Sequence, residues 1–208
     1  MPKTRMGWVA IFEGCFGILG LYALAQEVIV RSQRNELDLV NLWSHFTYQS
    51  TLIAVIALLA STITIWKGVE SRSIDLLRGA ATLYMIVTGV VYAVLLNNAD
   101  PAVMFDHHVM HQVIPIFMVV SWFWWHRPAW RIPYATVTTW LIYPLVYAVY
   151  VLAIYGNITG DYIYSFLDPA DGAELSVLRM IVLLTLAAAV VSWIMVHLPL
   201  RRVVQSAR

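Results

Sequence analysis

Histidine side chains are concentrated in one short stretch of this chain, where His107, His108 and His111 follow one another closely. Spacings of three and four residues place His111 on the same helical face as the other two. An imidazole changes its charge near neutral pH, so it serves as a general acid or base, and it is also a common zinc ligand. The stretch is therefore a candidate site for proton transfer or for metal-assisted chemistry.

A second polar stretch lies at the start of an earlier apolar segment. It combines hydroxyl, amide and imidazole groups: Ser44, His45, Thr47, Gln49 and Ser50. At a rise of 1.5 Å per residue, Thr47 lies ~9 Å and His111 ~6 Å below the outer ends of their predicted spans. We therefore expect them at similar depth. Pro115, four residues after His111, removes a backbone donor and is expected to kink its helix.

The composition places these polar residues in a membrane protein. Of the 208 residues, 61% are hydrophobic and 12% are charged, whereas soluble domains average about 45–50% and about 25%. A net charge of +1 argues against a nucleic-acid-binding protein, which needs a basic surface. Cys15 is the only cysteine, which excludes an intramolecular disulfide and a cysteine metal site.

Six apolar segments are long enough to cross a bilayer, which takes roughly 20 residues. They cover residues 8–29, 41–66, 80–97, 107–125, 137–156 and 177–200. Because backbone amides in lipid must be satisfied locally, the fold class is all-α, an integral membrane bundle of six transmembrane helices. No linker divides the chain, so residues 1–208 are predicted to form a single transmembrane domain.

A secretory signal peptide is the alternative interpretation of the first segment. Lys3 and Arg5 precede an apolar run that contains the small-residue sequence Ala23-Leu24-Ala25. Glu13 interrupts that run, so we expect a retained helix.

The distribution of Lys and Arg predicts the orientation. With the N-terminus in the cytoplasm, the inner side holds ten of the 13 Lys and Arg residues, and only Arg31, Arg34 and Arg179 lie outside. Because Lys and Arg are enriched in cytoplasmic loops, both termini are predicted to be cytoplasmic. The two polar stretches then both lie near the outer face.

Three stretches of the chain resemble the bacterial branch of the androgen-induced family of six-helix membrane proteins. They are His45-Phe46-Thr47-Tyr48-Gln49-Ser50, then His108-Val109-Met110-His111 with Pro115, and then Trp140-Leu141-Ile142-Tyr143-Pro144 with Tyr164-Ser165-Phe166-Leu167-Asp168-Pro169. Animal members hydrolyse fatty acid esters of hydroxy fatty acids with a Thr and a His. The resemblance implies a threonine hydrolase of lipid esters in the bacterial inner membrane, with no cofactor.

The resemblance also implies roles for single residues. Carried over by motif, Thr47 is the nucleophile that attacks an ester carbonyl, and His111 is the base that accepts its proton. Three residues are candidates to orient the base: Asn97, Asp106 and His108. Two residues are candidates to stabilise the oxyanion: Gln49 and Tyr143. Two further imidazoles complete the polar layer: His45 and His107. This chain has His107 where animal members have Asn, and Ser165 where they have Pro.

Two other functions fit parts of the same pattern. A zinc-dependent intramembrane lipid hydrolase would draw its ligands from the polar layer: His45, Asp106, His107, His108 and His111. Zinc ligands usually come from several helices, however, and three of these His lie on one. A lipid-binding or transport protein is the non-enzymatic alternative. The two halves of the chain show no internal repeat, and the polar residues crowd one face, not the midplane, so hydrolysis is favoured over transport.

Overall fold

The computed structural model describes residues 3–96, 105–125, 128, 130, 132–170 and 173–198, without the side chains of residues 3–6. Every regular element in these ranges is helical. The α-helices are α1 (Lys3–Gln33), α2 (Leu39–Ser44), α3 (Phe46–Lys67), α4 (Arg72–Val91), α5 (Phe105–His108), α6 (Ile114–Val120), α7 (Tyr134–Val137), α8 (Ile142–Tyr150), α9 (Gly156–Thr159) and α10 (Glu174–His197). Four π-helical segments extend or join them: Tyr92–Leu96, Val109–Val113, Ser121–Trp125 and Val151–Tyr155. Two short 3₁₀ segments lie wholly within the described ranges: Thr138–Leu141 and Ser165–Leu167.

Five helical stretches in the described ranges are long and apolar enough to cross a membrane. They are Gly7–Gln33, Phe46–Lys67, Arg72–Leu96, Tyr134–Thr159 and Glu174–His197. Their outer surfaces are apolar, as on α10, where Leu183 and Leu186 are 63% and 60% exposed. A contiguous apolar surface of this kind is buried in lipid or against a partner. The all-helical fold and these five stretches are those of a multi-pass membrane protein.

The fourth predicted segment, residues 107–125, is helical but is not one of these five stretches. Its helix begins at Phe105 and alternates short α-helical and π-helical parts up to Trp125. Three histidines and a glutamine in its first turns lower its mean hydropathy. The sixth crossing therefore stays a prediction.

The second predicted segment begins at Phe46 and not at residue 41, because the helix is interrupted. The Asp38 carboxylate accepts hydrogen bonds from the amides of Val40 and Asn41 and so caps the short α2. His45 then has an extended backbone, with φ −77° and ψ 133°, which separates α2 from α3. Hydropathy does not register this break, because the apolar pattern continues across it.

Glycines allow α1 to lie directly against α3. A side chain at Gly17 would come within 2.8 Å of Leu59, and one at Gly20 within 2.8 Å of Val55. Small residues at this spacing form the close-packed face of a membrane helix pair. Two groups of buried apolar residues extend from this contact, one around α1, α3 and α6 and the other around α4, α8 and α10.

A buried ionic network connects four helical segments far from Thr47. The Arg78 guanidinium of α4 donates hydrogen bonds to the Glu13 carboxylate of α1, to Ser61 Oγ of α3 at 3.1 Å and to Ser121 Oγ at 2.6 Å. All four side chains are 0% exposed. Ser61 is 14 residues beyond Thr47 on the same helix, which is a separation of ~21 Å along its axis. The network therefore fixes the end of the bundle opposite to Thr47.

Replacing Glu13 with Leu should destabilise the protein strongly, because it leaves the Arg78 charge buried without its counter-ion. Loss of one partner of a buried pair costs ~3–5 kcal/mol, whereas apolar replacement of both partners is often neutral. We therefore expect a large drop in the melting temperature of Glu13→Leu in detergent and recovery of most of it in the double variant Glu13→Leu/Arg78→Met. A Glu13→Leu protein as stable as the wild type would contradict this role.

Candidate active site

Thr47 and His111 lie side by side in the interior of the bundle. Thr47 is the second residue of α3, and His111 is in the π-helical segment Val109–Val113. Thr47 Oγ1 and His111 Nε2 are 3.2 Å apart, and the two residues are only 7% and 8% exposed. A nucleophile and its general base need a heavy-atom distance of about 2.6–3.2 Å. The pair therefore has the geometry of an activated hydroxyl.

The other ring nitrogen of His111 decides which way the proton moves. His111 Nδ1 is 2.9 Å from the backbone carbonyl oxygen of His107. A carbonyl oxygen only accepts hydrogen bonds, so Nδ1 of the neutral ring carries the proton. Nε2 is then left with its lone pair facing the Thr47 hydroxyl. This tautomer, inferred from the hydrogen bonds, makes His111 a proton acceptor for Thr47.

Two neighbouring aromatic rings pack against the imidazole of His111. The His107 ring lies against it with a centroid separation of 4.0 Å, and the Tyr92 ring does so at 4.6 Å. Together with the carbonyl of His107, these rings fix the plane of the imidazole. The group that orients the base is thus a main-chain carbonyl, and neither Asp106 nor His108, two of the side chains predicted for that role, accepts a hydrogen bond from Nδ1.

The helix that carries His111 is irregular at this point. The amide of Ile114 bonds to the carbonyl of Val109, five residues earlier, and Pro115 follows without an amide proton. Gly89 of α4 faces this turn, and a Cβ there would lie 3.1 Å from Pro115 and 3.5 Å from the carbonyl oxygen of His111. Glycine therefore lets α4 approach the irregular turn closely. Single π-helical turns of this kind are frequent at functional sites.

The start of α3 is capped from outside by tyrosine hydroxyls. His45 is the N-cap residue of α3, but its side chain accepts no hydrogen bond from the first amides of that helix. Instead the Phe46 amide donates to the hydroxyls of Tyr147 at 3.1 Å and Tyr164 at 3.2 Å. The Tyr147 hydroxyl in turn donates to the carbonyl of Ser44 at 2.9 Å. Sequence reasoning missed both tyrosines as site residues, because the helix break that exposes these amides has no signal in the apolar pattern.

An apolar cavity opens from the Thr47–His111 pair. It encloses about 800 Å³ of space, including its mouth. Its wall is formed by α4, α8 and α10, with side chains such as Val87, Val91, Pro144, Ala148, Leu184 and Ala188. Along α10 the wall extends from Ile181 to Ala188, which is ~10 Å at the helical rise per residue. The polar pair therefore lines a space whose other walls are mainly apolar.

The two predicted oxyanion donors contact each other instead of the pair. The Tyr143 hydroxyl donates to Gln49 Oε1 at 2.7 Å, and Gln49 Nε2 donates to the carbonyl of Trp43 at 2.6 Å. Neither residue lines the cavity. Both therefore support the start of α3 from its far side.

Three of the remaining predicted residues lie within the described part of the chain: His45, Asp106 and His108. His45 Nδ1 bonds to the carbonyl of Asn41 at 2.8 Å. Asp106 is buried beside Glu27 of α1, and His108 is exposed at the end of α5. Asn97 lies outside the described residues.

No group of three or more metal-ligating side chains comes together within the part of the chain that the structure describes. His111 directs one nitrogen at Thr47 and the other at a main-chain carbonyl, so both of its ring nitrogens are already engaged. This arrangement favours a hydroxyl–imidazole pair over the zinc alternative.

Comparison of the chain with known protein families, with curated proteins and with solved structures finds no match. The resemblance to the androgen-induced family therefore rests on the motif residues of the chain itself. What the site does is inferred from its geometry and from those residues.

Proposed function

We propose that this protein is an intramembrane lipid-ester hydrolase with Thr47 as nucleophile and His111 as base. The observation that carries the proposal is the 3.2 Å contact between Thr47 Oγ1 and His111 Nε2 in the wall of a mainly apolar cavity. The substrates are acyl esters such as fatty acid esters of hydroxy fatty acids, the class that the family resemblance implies.

The chemistry proceeds in two half-reactions. Thr47 Oγ1 forms a bond to the ester carbonyl carbon while its proton passes to His111 Nε2, and the carbonyl electron pair moves onto oxygen. The ester C–O bond then breaks, and the departing alkoxide takes the proton from His111. Water attacks the acyl-threonine in the same way, giving its proton to His111, which returns a proton to Thr47. A fatty acid and an alcohol leave the site.

The cavity explains why the substrate is a lipid. Its wall is apolar over ~10 Å of α10, so it accommodates a hydrocarbon chain and offers few partners to a polar one. Leu145 lines the cavity and is 41% exposed, which indicates an opening beside α8 toward the surrounding lipid. The acyl chain enters from the bilayer, and its ester group stops at Thr47.

Replacing Thr47 with Val should abolish ester hydrolysis, because valine preserves the shape of the side chain but has no hydroxyl. We expect kcat to fall at least ~10³-fold, as it does when the nucleophile of another hydrolase is removed. The same loss is expected for His111→Ala. Release of fatty acid from a fluorogenic long-chain ester by the purified protein measures both.

Thr51→Val is the matched control for that substitution. Thr51 lies one turn further along α3, and its buried hydroxyl makes no hydrogen bond within the described residues. The variant should keep wild-type kcat and stability. Normal turnover by folded Thr47→Val would reject the mechanism. About one zinc per purified chain, with loss of activity on chelation, would favour the zinc alternative.

Replacing Ala188 with Phe should shorten the acyl chains that the enzyme accepts. The new ring fills the cavity and displaces about four methylene groups, each worth ~0.8 kcal/mol, so kcat/KM for long-chain esters should fall ~100-fold. Short-chain esters should react at the wild-type rate. Neighbouring Ala187 is exposed, so Ala187→Phe is the control. An unchanged chain-length profile in Ala188→Phe would exclude this cavity as the acyl site.

The proposal includes six crossings with both termini in the cytoplasm of a bacterial cell, so that the site lies near the outer face. The excess of Lys and Arg on the opposite side supports this orientation. The distance of ~21 Å between Thr47 and the Arg78 network is consistent with a bundle that spans the bilayer.

Cysteine labelling of intact cells tests that orientation. In a Cys15→Ala background, which removes the exposed native thiol, Asp161→Cys should react with a membrane-impermeant maleimide. Glu70→Cys should react only after the cells are permeabilised. Both replaced residues are exposed and lie between helices. The reverse pattern would place the site at the cytoplasmic face.

A further inference from the structure

Ester hydrolysis by Thr47 creates a charge that the nucleophile and the base do not stabilise. When Thr47 attacks, the carbonyl oxygen of the ester becomes an oxyanion two bonds from Thr47 Oγ1. In an apolar cavity that charge requires a hydrogen-bond donor already in place. The two donors predicted from sequence, Gln49 and Tyr143, bond to each other and do not line the cavity.

The Tyr164 hydroxyl has the contacts that such a donor needs. Tyr164 lines the cavity in the loop before α10, and its hydroxyl interacts with the Thr47 side chain. The amide of Phe46 donates to its oxygen at 3.2 Å, and the amide of Thr47 lies next to that oxygen. Stacking on Phe166, at 5.2 Å between ring centroids, holds the ring in position.

Hydrogen-bond directions leave two acceptors for the Tyr164 proton, the hydroxyl oxygens of Thr47 and Tyr147, and we infer that Thr47 receives it. The Phe46 amide only donates, so the oxygen of Tyr164 accepts from it. The Thr47 proton is directed at His111 Nε2, so Thr47 Oγ1 is free to accept from Tyr164. The resulting chain runs from the Phe46 amide through Tyr164 and Thr47 to His111. Each bond polarises the next one.

We propose that Tyr164 is a catalytic residue, whose hydroxyl donates to Thr47 at rest and to the oxyanion during attack. The shift is short, because the oxyanion forms two bonds from the atom to which Tyr164 already donates. This inference rests on the proposed function. Burial raises the pKa of Tyr164, so its hydroxyl keeps the proton that it must donate.

Tyr147 is adjacent but does not have the same role. Its hydroxyl donates to the carbonyl of Ser44 at 2.9 Å, so its proton is already engaged. Tyr147 thus caps α3 and aligns Phe46. The Tyr164 hydroxyl, by contrast, donates to no carbonyl within the described residues, so its proton is available to Thr47 or to the Tyr147 oxygen beside it.

Replacing Tyr164 with Phe should lower kcat about 10²–10³-fold, the usual effect of removing one oxyanion donor, with little change in KM. A long-chain trifluoromethyl ketone, which forms a tetrahedral adduct with the nucleophile, should bind more weakly by the same factor. A planar ketone with the same chain should bind as tightly as before. A purely structural role for Tyr164 would weaken both ligands equally and would overturn the assignment.

Tyr155→Phe is the matched control. The Tyr155 hydroxyl accepts from Asn41 Nδ2 at 2.7 Å in the same outer layer and does not line the cavity. Its loss should leave kcat unchanged. If Tyr164→Phe does not fold, 3-fluorotyrosine at position 164 preserves the side-chain shape while changing hydroxyl acidity, and it should change kcat without changing KM; an unchanged kcat there would overturn the role.

The two proposals fail in distinguishable ways. Full activity in Tyr164→Phe together with an inactive Thr47→Val would overturn the role of Tyr164 and leave the hydrolase intact. Full activity in Thr47→Val would overturn both.

Discussion

Backbone amides at the start of a helix have no partners within that helix, and in apolar surroundings they must find partners elsewhere. In this protein the extended backbone of His45 creates such a start inside the bundle, at Phe46. The hydroxyls of Tyr147 and Tyr164 accept hydrogen bonds from the Phe46 amide, so the segments that carry these tyrosines are drawn against α3. The next residue, Thr47, is thereby held against the cavity. The position of the candidate nucleophile is thus a consequence of providing hydrogen-bond partners for the amides at one helix break.

The opposite end of the bundle depends on a different polar interaction. Arg78 and Glu13 are buried together with two serine hydroxyls, which connects α1, α3, α4 and the segment after α6. A buried ion pair contributes little net stability compared with well-packed apolar groups, but removing one partner of the pair destabilises the protein strongly. Its effect here is to define how these helices are aligned. That alignment carries over to the other end, where α3 and the irregular helix bring Thr47 and His111 together.

The cavity follows from how the apolar helices pack between these two polar ends. Glycines let α1 lie close to α3, and Gly89 lets α4 approach the turn that carries His111. Between α4, α8 and α10 the helices leave a space, which is lined by apolar side chains such as Leu184 and Ala188. The same polar pair in a fully packed core would have no room for a substrate. A hydroxyl, an imidazole and an apolar space together make hydrolysis of a lipid ester the best-supported function.

The sequence by itself determined the all-helical membrane class, most of the apolar segments and the two residues, Thr47 and His111, that the structure brings into contact. The class and the segments follow from composition and hydropathy, and the choice of Thr47 and His111 follows from the motifs that resemble the androgen-induced family; all of these are local properties of the sequence. The tertiary structure decided that the helix breaks at His45, that a main-chain carbonyl orients His111, and that Tyr164 caps α3 beside the nucleophile. The cap on α3 joins groups 118 residues apart in the chain, and the carbonyl four residues before His111 is identified as its partner only in the folded helix. No local pattern records which distant hydroxyl satisfies an unpaired amide, because that choice is made only when the helices pack.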